Sequence, residues 1–353
     1  MNNGDGFESF GWGGNPFTFN IMPELFVGYN KEVDSILHSV NMGNKFSLLL
    51  GPTGSGKTTM LMMLMTKFQN YEHVVYIPKP PKDPTEWVTV FGKFTRPGFP
   101  KSIFSKSNGV TLYNLSETLN KKLDGSKCVL FVDEAHEAST ESLEWLRTIT
   151  DQTTGLSIVL AGLPVFEGTL KDSLETFLKR MNARVELSTL TKSETRELIK
   201  KRIESRGGDD IKPFTPDSVG YIYERTGGFP REVIRLCNET AQDAAKRNIT
   251  TVDMDFLKET EIPESRMSLE AISELPERQR VVLEALAEKG DLTPSEILKS
   301  VEIDGYKDND NAIRSVNNLL RRLMKEKLVE RTKRGKTYRY RVSGKYQSLT
   351  VKA

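Results

Sequence analysis

The chain has 353 residues, 37% hydrophobic and 28% charged, the composition of a soluble globular protein with length for two or three domains. It contains no apolar run of membrane-spanning length, and Cys128 and Cys237 lie far apart inside apolar patterns, which favours reduced core thiols over a disulfide frame or a metal site. The formal net charge is only +2, but no acidic residue follows Glu330, whereas Arg331, Lys333, Arg334, Lys336, Arg339, Arg341, Lys345 and Lys352 do, a local polycation suited to a polyanion.

Residues 1–22 are rich in Gly and Asn, with Phe7, Phe10, Trp12, Phe17 and Phe19 interspersed. Aromatics at this density are expected to dock on a folded surface, and Asp5 and Glu8 among them do not fit a signal peptide, so the expected compartment is the cytoplasm. Pro23 to Gly28 reads as an extended turn, and Val33, Ile36, Leu37 and Val40 mark a helix ending near Gly43.

Phe46–Leu50 is the first predicted buried strand, and Gly51-Pro52-Thr53-Gly54-Ser55-Gly56-Lys57-Thr58-Thr59 follows it into a predicted helix over Lys57–Phe68. This strand, glycine-rich turn and helix are a phosphate cradle of the GxxxxGKT type. Its glycines let successive N–H groups converge on an anion, and the helix adds its positive end. Lys57 is expected to reach the β- and γ-phosphates and the Thr58 hydroxyl to ligate Mg²⁺.

His73–Ile77 is a second strand, Pro78–Pro84 a proline-rich break, Glu86–Phe94 a helix, and Leu112–Leu123 another. Lys127–Val132 is a third strand, ending in Asp133-Glu134, where one carboxylate can hold Mg²⁺ through water (Asp133) and a second can polarise the attacking water (Glu134). A helix over Thr140–Thr150, a strand over Leu156–Ala161, a helix over Leu170–Met181 and a strand over Arg184–Leu187 complete an α/β domain with a parallel sheet, spanning about residues 23–187.

Strands then cease. Ser193–Ser205, Thr215–Thr226, Pro230–Lys246 and Thr251–Glu259 form an all-helical domain over about 188–260, with a linker at 261–267. Helices over Glu277–Lys289, Thr293–Ser300 and Asn311–Lys327 and a hairpin over Leu328–Val342 describe a winged helix-turn-helix in residues 268–353. On its third helix Ile313, Val316, Leu320 and Leu323 face inward, leaving Arg314, Asn317, Asn318, Arg321 and Arg322 to read double-stranded DNA. The hairpin offers Arg334, Lys336 and Arg339 to phosphates, with Tyr338 and Tyr340 interleaved.

With GPTGSGKTT at 51–59, VLFVDEAH at 129–136 and GGFPREVIRLC at 227–237, the chain resembles AAA+ ATPases of the replication-initiator branch, the archaeal origin-recognition family above all. It is also similar to bacterial AAA+ ATPases of secretion and transposition. The resemblance implies an AAA+ nucleotide domain, a helical lid and a C-terminal winged helix, with ATP or ADP and Mg²⁺ as ligands and an ATP-dependent homo-oligomer as the assembly. It implies that Phe26 and Val27 bracket the adenine and that Arg231 is the lid arginine contacting the γ-phosphate. By the same resemblance Arg180 is the finger offered to a neighbouring subunit, with Arg184 as the alternative.

One departure stands out. The family places a polar residue near the end of the fourth strand to orient water, whereas this chain has Val159-Leu160-Ala161-Gly162-Leu163-Pro164, which predicts slow hydrolysis and a switch-like site. The expected function is a replication initiator or a controller of mobile elements, partnered by a helicase or recombinase and by no membrane. A signalling or transcription-regulating ATPase and a helicase loader are the alternatives.

Overall fold

Five short strands form one all-parallel sheet in the computed structural model, which describes residues 6–92, 94, 109–259, 275–301, 309–325, 328–334 and 337–343. The strands are β1 (Phe46–Leu50), β2 (His73–Ile77), β3 (Cys128–Val132), β4 (Leu156–Gly162) and β5 (Met181–Glu186), in the order β2-β3-β4-β1-β5. β1, β3 and β4 are buried along their whole length, as central strands covered on both faces must be. The chain divides into two compact units, Phe19–Thr189, which holds this sheet, and Met1–Thr18 together with Leu190–Ala353.

In the sheet unit, α1 (Asn30–Asn41) and α2 (Lys57–Lys67) cover one face, burying Ile36, Val40, Met60, Leu61 and Leu64 against Leu49, Val129, Phe131 and Val159. Residues of α3 (Trp87–Phe91), α4 (Leu115–Leu123), α5 (Thr140–Gln152), α6 (Val165–Ser173) and α7 (Glu175–Leu178) cover the other, packing Trp87, Leu119, Leu146 and Phe177 against Phe46, Leu48, Leu130 and Leu160. Each such side chain contributes about 1.5–3 kcal/mol on burial, so the five-strand order is fixed by two apolar faces rather than by propensity alone.

The predicted helix over Leu170–Met181 and strand over Arg184–Leu187 need correction. The backbone breaks at Leu174 (φ −139°, ψ 46°), giving two short helices, and Met181 already begins β5. β5 is an edge strand whose residues alternate between buried and exposed, so it lacks the continuous apolar run that marks a central strand. The helices predicted over Glu86–Phe94 and Leu112–Leu123 are also shorter, Trp87–Phe91 and Leu115–Leu123.

The second unit carries α8 (Lys192–Glu204), α9 (Pro216–Thr226), α10 (Pro230–Lys246) and α11 (Met254–Glu259). Thr191 with Glu194 and Thr215 with Ser218 form capping boxes that start α8 and α9. The aromatic N-terminal stretch docks on these helices. Phe7, Trp12 and Phe17 are buried, Phe17 stands edge-on to Phe214, and Gly13 N–H donates to Arg206 O at 2.8 Å. Arg202, itself buried, donates to the carbonyls of Pro16 and Thr18.

The C-terminal part contains α12 (Glu277–Lys289), α13 (Pro294–Ser300), α14 (Asn309–Lys325) and the antiparallel pair β6 (Val329–Arg334) and β7 (Thr337–Val342). Leu283, Leu286, Ile297, Val316, Leu320, Leu323 and Tyr340 form its core, and Leu292 bridges Tyr340 as a short third strand. Three helices with a two-stranded wing are a winged helix. Tyr340, interleaved in sequence among the wing's basic residues, is buried here, because alternation along β7 turns it inward with Val342. The expected linker at 261–267 and Lys336 lie outside the described residues.

Candidate functional site

β1 delivers the chain to Gly51 and α2 begins at Lys57, so residues 51–56 form the turn between strand and helix. Gly54 and Gly56 hold φ angles of 78° and 98°, in the left-handed region that favours glycine. Gly51 must be small for another reason: a Cβ there would stand 2.6 Å from Ser55 Oγ and 3.1 Å from Leu187 Cβ. Gly56, the N-cap, has no side chain with which to cap α2, whose first N–H groups and positive dipole end suit an anion. Lys57 is buried, and its Nζ donates to Gly51 O at 2.8 Å and Pro52 O at 3.2 Å, which holds the ammonium inside the turn. Ser55 Oγ is buried with no hydrogen-bond partner among the described residues.

β3 carries Asp133 to the same place. Asp133 is 2% exposed, and the Thr58 hydroxyl donates to its Oδ2 at 2.6 Å. Tyr76 OH donates to the same oxygen at 3.2 Å, and the Glu134 N–H donates to Oδ1 at 2.9 Å. Burial, reinforced by the neighbouring Asp133 and Glu134 charges, pushes the Tyr76 phenol well above its ordinary pKa and keeps it a donor. Glu134 adopts a left-handed φ of 49°, uncommon for a residue with a side chain, and its half-exposed carboxylate stands 3.4 Å from His136 Nδ1. The Thr58 hydroxyl and Asp133 carboxylate are hard oxygen donors beside an amide-lined turn, a set that fits Mg²⁺ accompanying a nucleoside triphosphate. Bound there, such an ion supplies charge neutralisation for phosphate oxygens. Tyr76 and His136 were not among the residues expected to matter here; alternation along β2 is the signal that could have pointed to Tyr76.

The remaining expected residues fall at several places. Phe26 lies beside the turn, its ring 3.9 Å from where a Gly56 Cβ would be, and tilts against Tyr29. Val27 is half-buried next to it, as is Thr59 in the first turn of α2, whereas Thr53 is exposed. The apolar end of β4 is explained by packing. Gly162 pairs with Leu50, and a Cβ on it would stand 3.2 Å from the Phe166 ring and 3.4 Å from the backbone nitrogen of His136. Arg180 sits on the turn before β5 and pairs with Asp151 at 2.9 Å, while Arg184 sits within β5 and pairs with Glu167. Arg231 belongs to the other unit, exposed in the first turn of α10.

On the winged helix, Arg314, Asn318, Arg321 and Arg322 are exposed along α14. Asn317 is half-buried and its side-chain amide donates to Ile313 O at 3.0 Å, so it is tied to its own helix. Arg339 is likewise engaged, donating to Asp291 O at 2.6 Å and pairing with Glu296 at 3.1 Å, which fixes β7 to the cap of α13. Arg334 ends β6, paired in register with Thr337. Arg331 stacks over the Tyr338 ring at 4.3 Å on the exposed surface of the wing.

The AAA domain family matches residues 40–170, and the penicillinase repressor family matches residues 275–352. The chain is 26% identical over 244 residues to the general secretion pathway protein A of Aeromonas hydrophila, covering 65% of this chain and 43% of that protein. It is 26% identical over 139 residues to an uncharacterised HTH-type transcriptional regulator of Methanocaldococcus jannaschii, covering 37% of this chain and 34% of that protein. These matches therefore span less than half the length of either relative. Among solved structures, the ORC2 protein of Aeropyrum pernix in its ADPNP-ADP complexes is similar with a TM-score of 0.62 at 15% identity, covering 94% of this chain and 93% of that one. With the cradle at 51–58, the Asp133 carboxylate and the sheet order in place, residues 40–170 match an AAA domain and residues 275–352 form a winged helix, in a chain whose fold is similar to that of the ORC2 protein.

Proposed function

We infer that this chain binds and hydrolyses ATP and binds double-stranded DNA through its winged helix, as a replication initiator or a controller of mobile-element DNA. The observation that carries the reading is the convergence of Thr58 and Asp133 beside a glycine turn, in a chain that also exposes Arg314, Arg321 and Arg322 on the third helix of a winged helix. The N–H groups of the turn and Lys57 bind phosphate oxygens, Thr58 and Asp133 hold the accompanying Mg²⁺, and Phe26 and Val27 bracket the base. Glu134 accepts a proton from the attacking water. Arg231 reads the γ-phosphate from the lid, and Arg180 or Arg184 completes a neighbouring subunit's site in an ATP-dependent homo-oligomer. With no polar side chain at the end of β4 to orient water, turnover stays below about 1 s⁻¹, the low end of the enzyme range.

The test is duplex-DNA affinity with ATP, with ADP and without nucleotide at several salt concentrations. ATP-strengthened binding accompanied by self-assembly supports the reading, and equal affinity in all three conditions refutes the nucleotide control. A second reading, a transcription-regulating ATPase, draws on the penicillinase repressor match at 275–352 and on the likeness to an HTH-type transcriptional regulator. It predicts a monomer or dimer that binds DNA regardless of nucleotide.

A further inference from the structure

Tyr76 belongs neither to the glycine turn nor to the Asp133-Glu134 turn, yet it reaches the carboxylate on which both depend. The pleat explains how. On β3, Val129 and Phe131 pack on the α2 face of the sheet while Cys128, Leu130 and Val132 pack on the other, so Asp133 continues the α2-face series. On β2, Val74 and Tyr76 lie on that face, and Val75 and Ile77 on the opposite one. Register pairs Tyr76 with Phe131, which makes it a diagonal neighbour of Asp133 across the strands, within reach of an aromatic side chain. The half-buried ring is held by the α2-face core, and its hydroxyl lies 3.2 Å from Asp133 Oδ2.

We propose that Tyr76 is a positioning residue for the metal–nucleotide site: its hydroxyl fixes the Asp133 carboxylate in the orientation that receives Mg²⁺. The proposal rests on the reading of residues 51–58 as a triphosphate cradle. Oδ2 has two donors, Thr58 and Tyr76, and the first is also a ligand for the ion. If the Thr58 hydroxyl turns to the metal, Tyr76 and the Glu134 N–H still hold the Asp133 carboxylate among the described residues. Outer-shell donors of this kind orient a metal-ligating carboxylate, and losing one typically weakens metal binding by about 10–100-fold.

The experiment uses the full chain, wild type and Tyr76→Phe, which keeps the ring and removes only the hydroxyl. A fluorescent ADP analogue is titrated in excess Mg²⁺ and in EDTA, and the ratio of the two dissociation constants measures the coupling between metal and nucleotide. Tyr76→Phe is expected to cut that ratio about tenfold and to raise the Mg²⁺ midpoint by the same factor, leaving the affinity in EDTA within about twofold of wild type. Thr58→Ala, which removes a ligand, serves as the reference for a lost ratio. An unchanged ratio in Tyr76→Phe, or an equal loss of affinity with and without Mg²⁺, overturns the positioning role. Absence of ADP binding by the wild-type chain in both buffers overturns the cradle reading instead, and this proposal with it.

Discussion

Replacing Phe17 by alanine should release the N-terminal strap from the helices of its own unit. Phe17 is fully buried, with ring centroids 5.9 Å from Trp12 and 5.8 Å from Phe214. Three polar ties accompany it: Gly13 N–H on Arg206 O at 2.8 Å, Arg202 on the carbonyls of Pro16 and Thr18, and Asn15 on Asn238 at 2.6 Å. Truncating a buried Phe to Ala costs about 3–5 kcal/mol, more than any one of these hydrogen bonds, at about 1 kcal/mol net for a neutral pair and about 1.5–3 for a bond from the Arg202 guanidinium. A loss of that size raises the undocked population by roughly a hundredfold to a few thousandfold, until the strap is free. Native-state hydrogen exchange reads this directly at the Gly13 amide, whose donor bond exists only in the docked strap. Its exchange should accelerate by about a hundredfold or more, while amides of β1 in the other unit keep their protection. Gly13 exchange within about threefold of wild type would refute the assignment of docking to Phe17.

Four other substitutions test the rest of the chain. Lys57→Ala removes the one cation inside the turn and should weaken ATP binding by about a hundredfold or more in equilibrium dialysis, as expected for a charged, desolvated contact. Glu134→Gln should leave ATP affinity within about threefold of wild type yet lower single-turnover hydrolysis by about 10²–10⁴-fold, the usual worth of a positioned base. Replacing Arg314 or Arg321 should weaken binding to a preferred duplex by about 1–3 kcal/mol and relax its sequence preference, whereas Arg339→Ala should mainly lower the melting temperature of the winged helix, because Arg339 ties Asp291 and Glu296. Gly228→Ala should destabilise the helical unit by at least about 2 kcal/mol in thermal melts, since Gly228 holds φ 77° and a Cβ would stand 2.1 Å from Leu190 O.

The parts of the fold that could be read from the sequence are those where one physical cause acts alone. β1, β3 and β4 are buried on both faces, so their residues are apolar apart from the buried Ser47 and Ser157, and the glycine turn must be glycine for conformational reasons that leave a visible spacing. Half-buried elements were harder. β5 alternates buried and exposed residues and begins inside what looked like a helix, and Tyr340 reads as a surface aromatic among arginines until its partner strand turns it inward. The docking of the aromatic strap was legible as a need for burial, but its site on Phe214, Arg206 and Asn238 depends on contacts about two hundred residues away in sequence, which local pattern does not encode. Tyr76 escaped for the same reason: its meaning lies in the register with Phe131, not in its own segment.

The two candidate finger arginines illustrate how a partner in hand constrains a role without deciding it. Arg180 pairs with Asp151 and Arg184 with Glu167, and all four side chains are at least partly solvent-exposed. Exposed pairs of this type contribute about 0–1 kcal/mol, so either arginine can leave its carboxylate for a more negative phosphate at little cost. What separates them is the backbone. Arg184 is held in β5, in register with Leu48, so its side chain is confined to the rim of an edge strand. Arg180 stands on the turn that precedes the strand, outside the ladder, with its own N–H donating to Phe177 O at 3.0 Å. On the proposed reading, in which a finger reaches a neighbouring subunit, a position off the strand favours Arg180 over Arg184, which joins α6 to the sheet edge through Glu167.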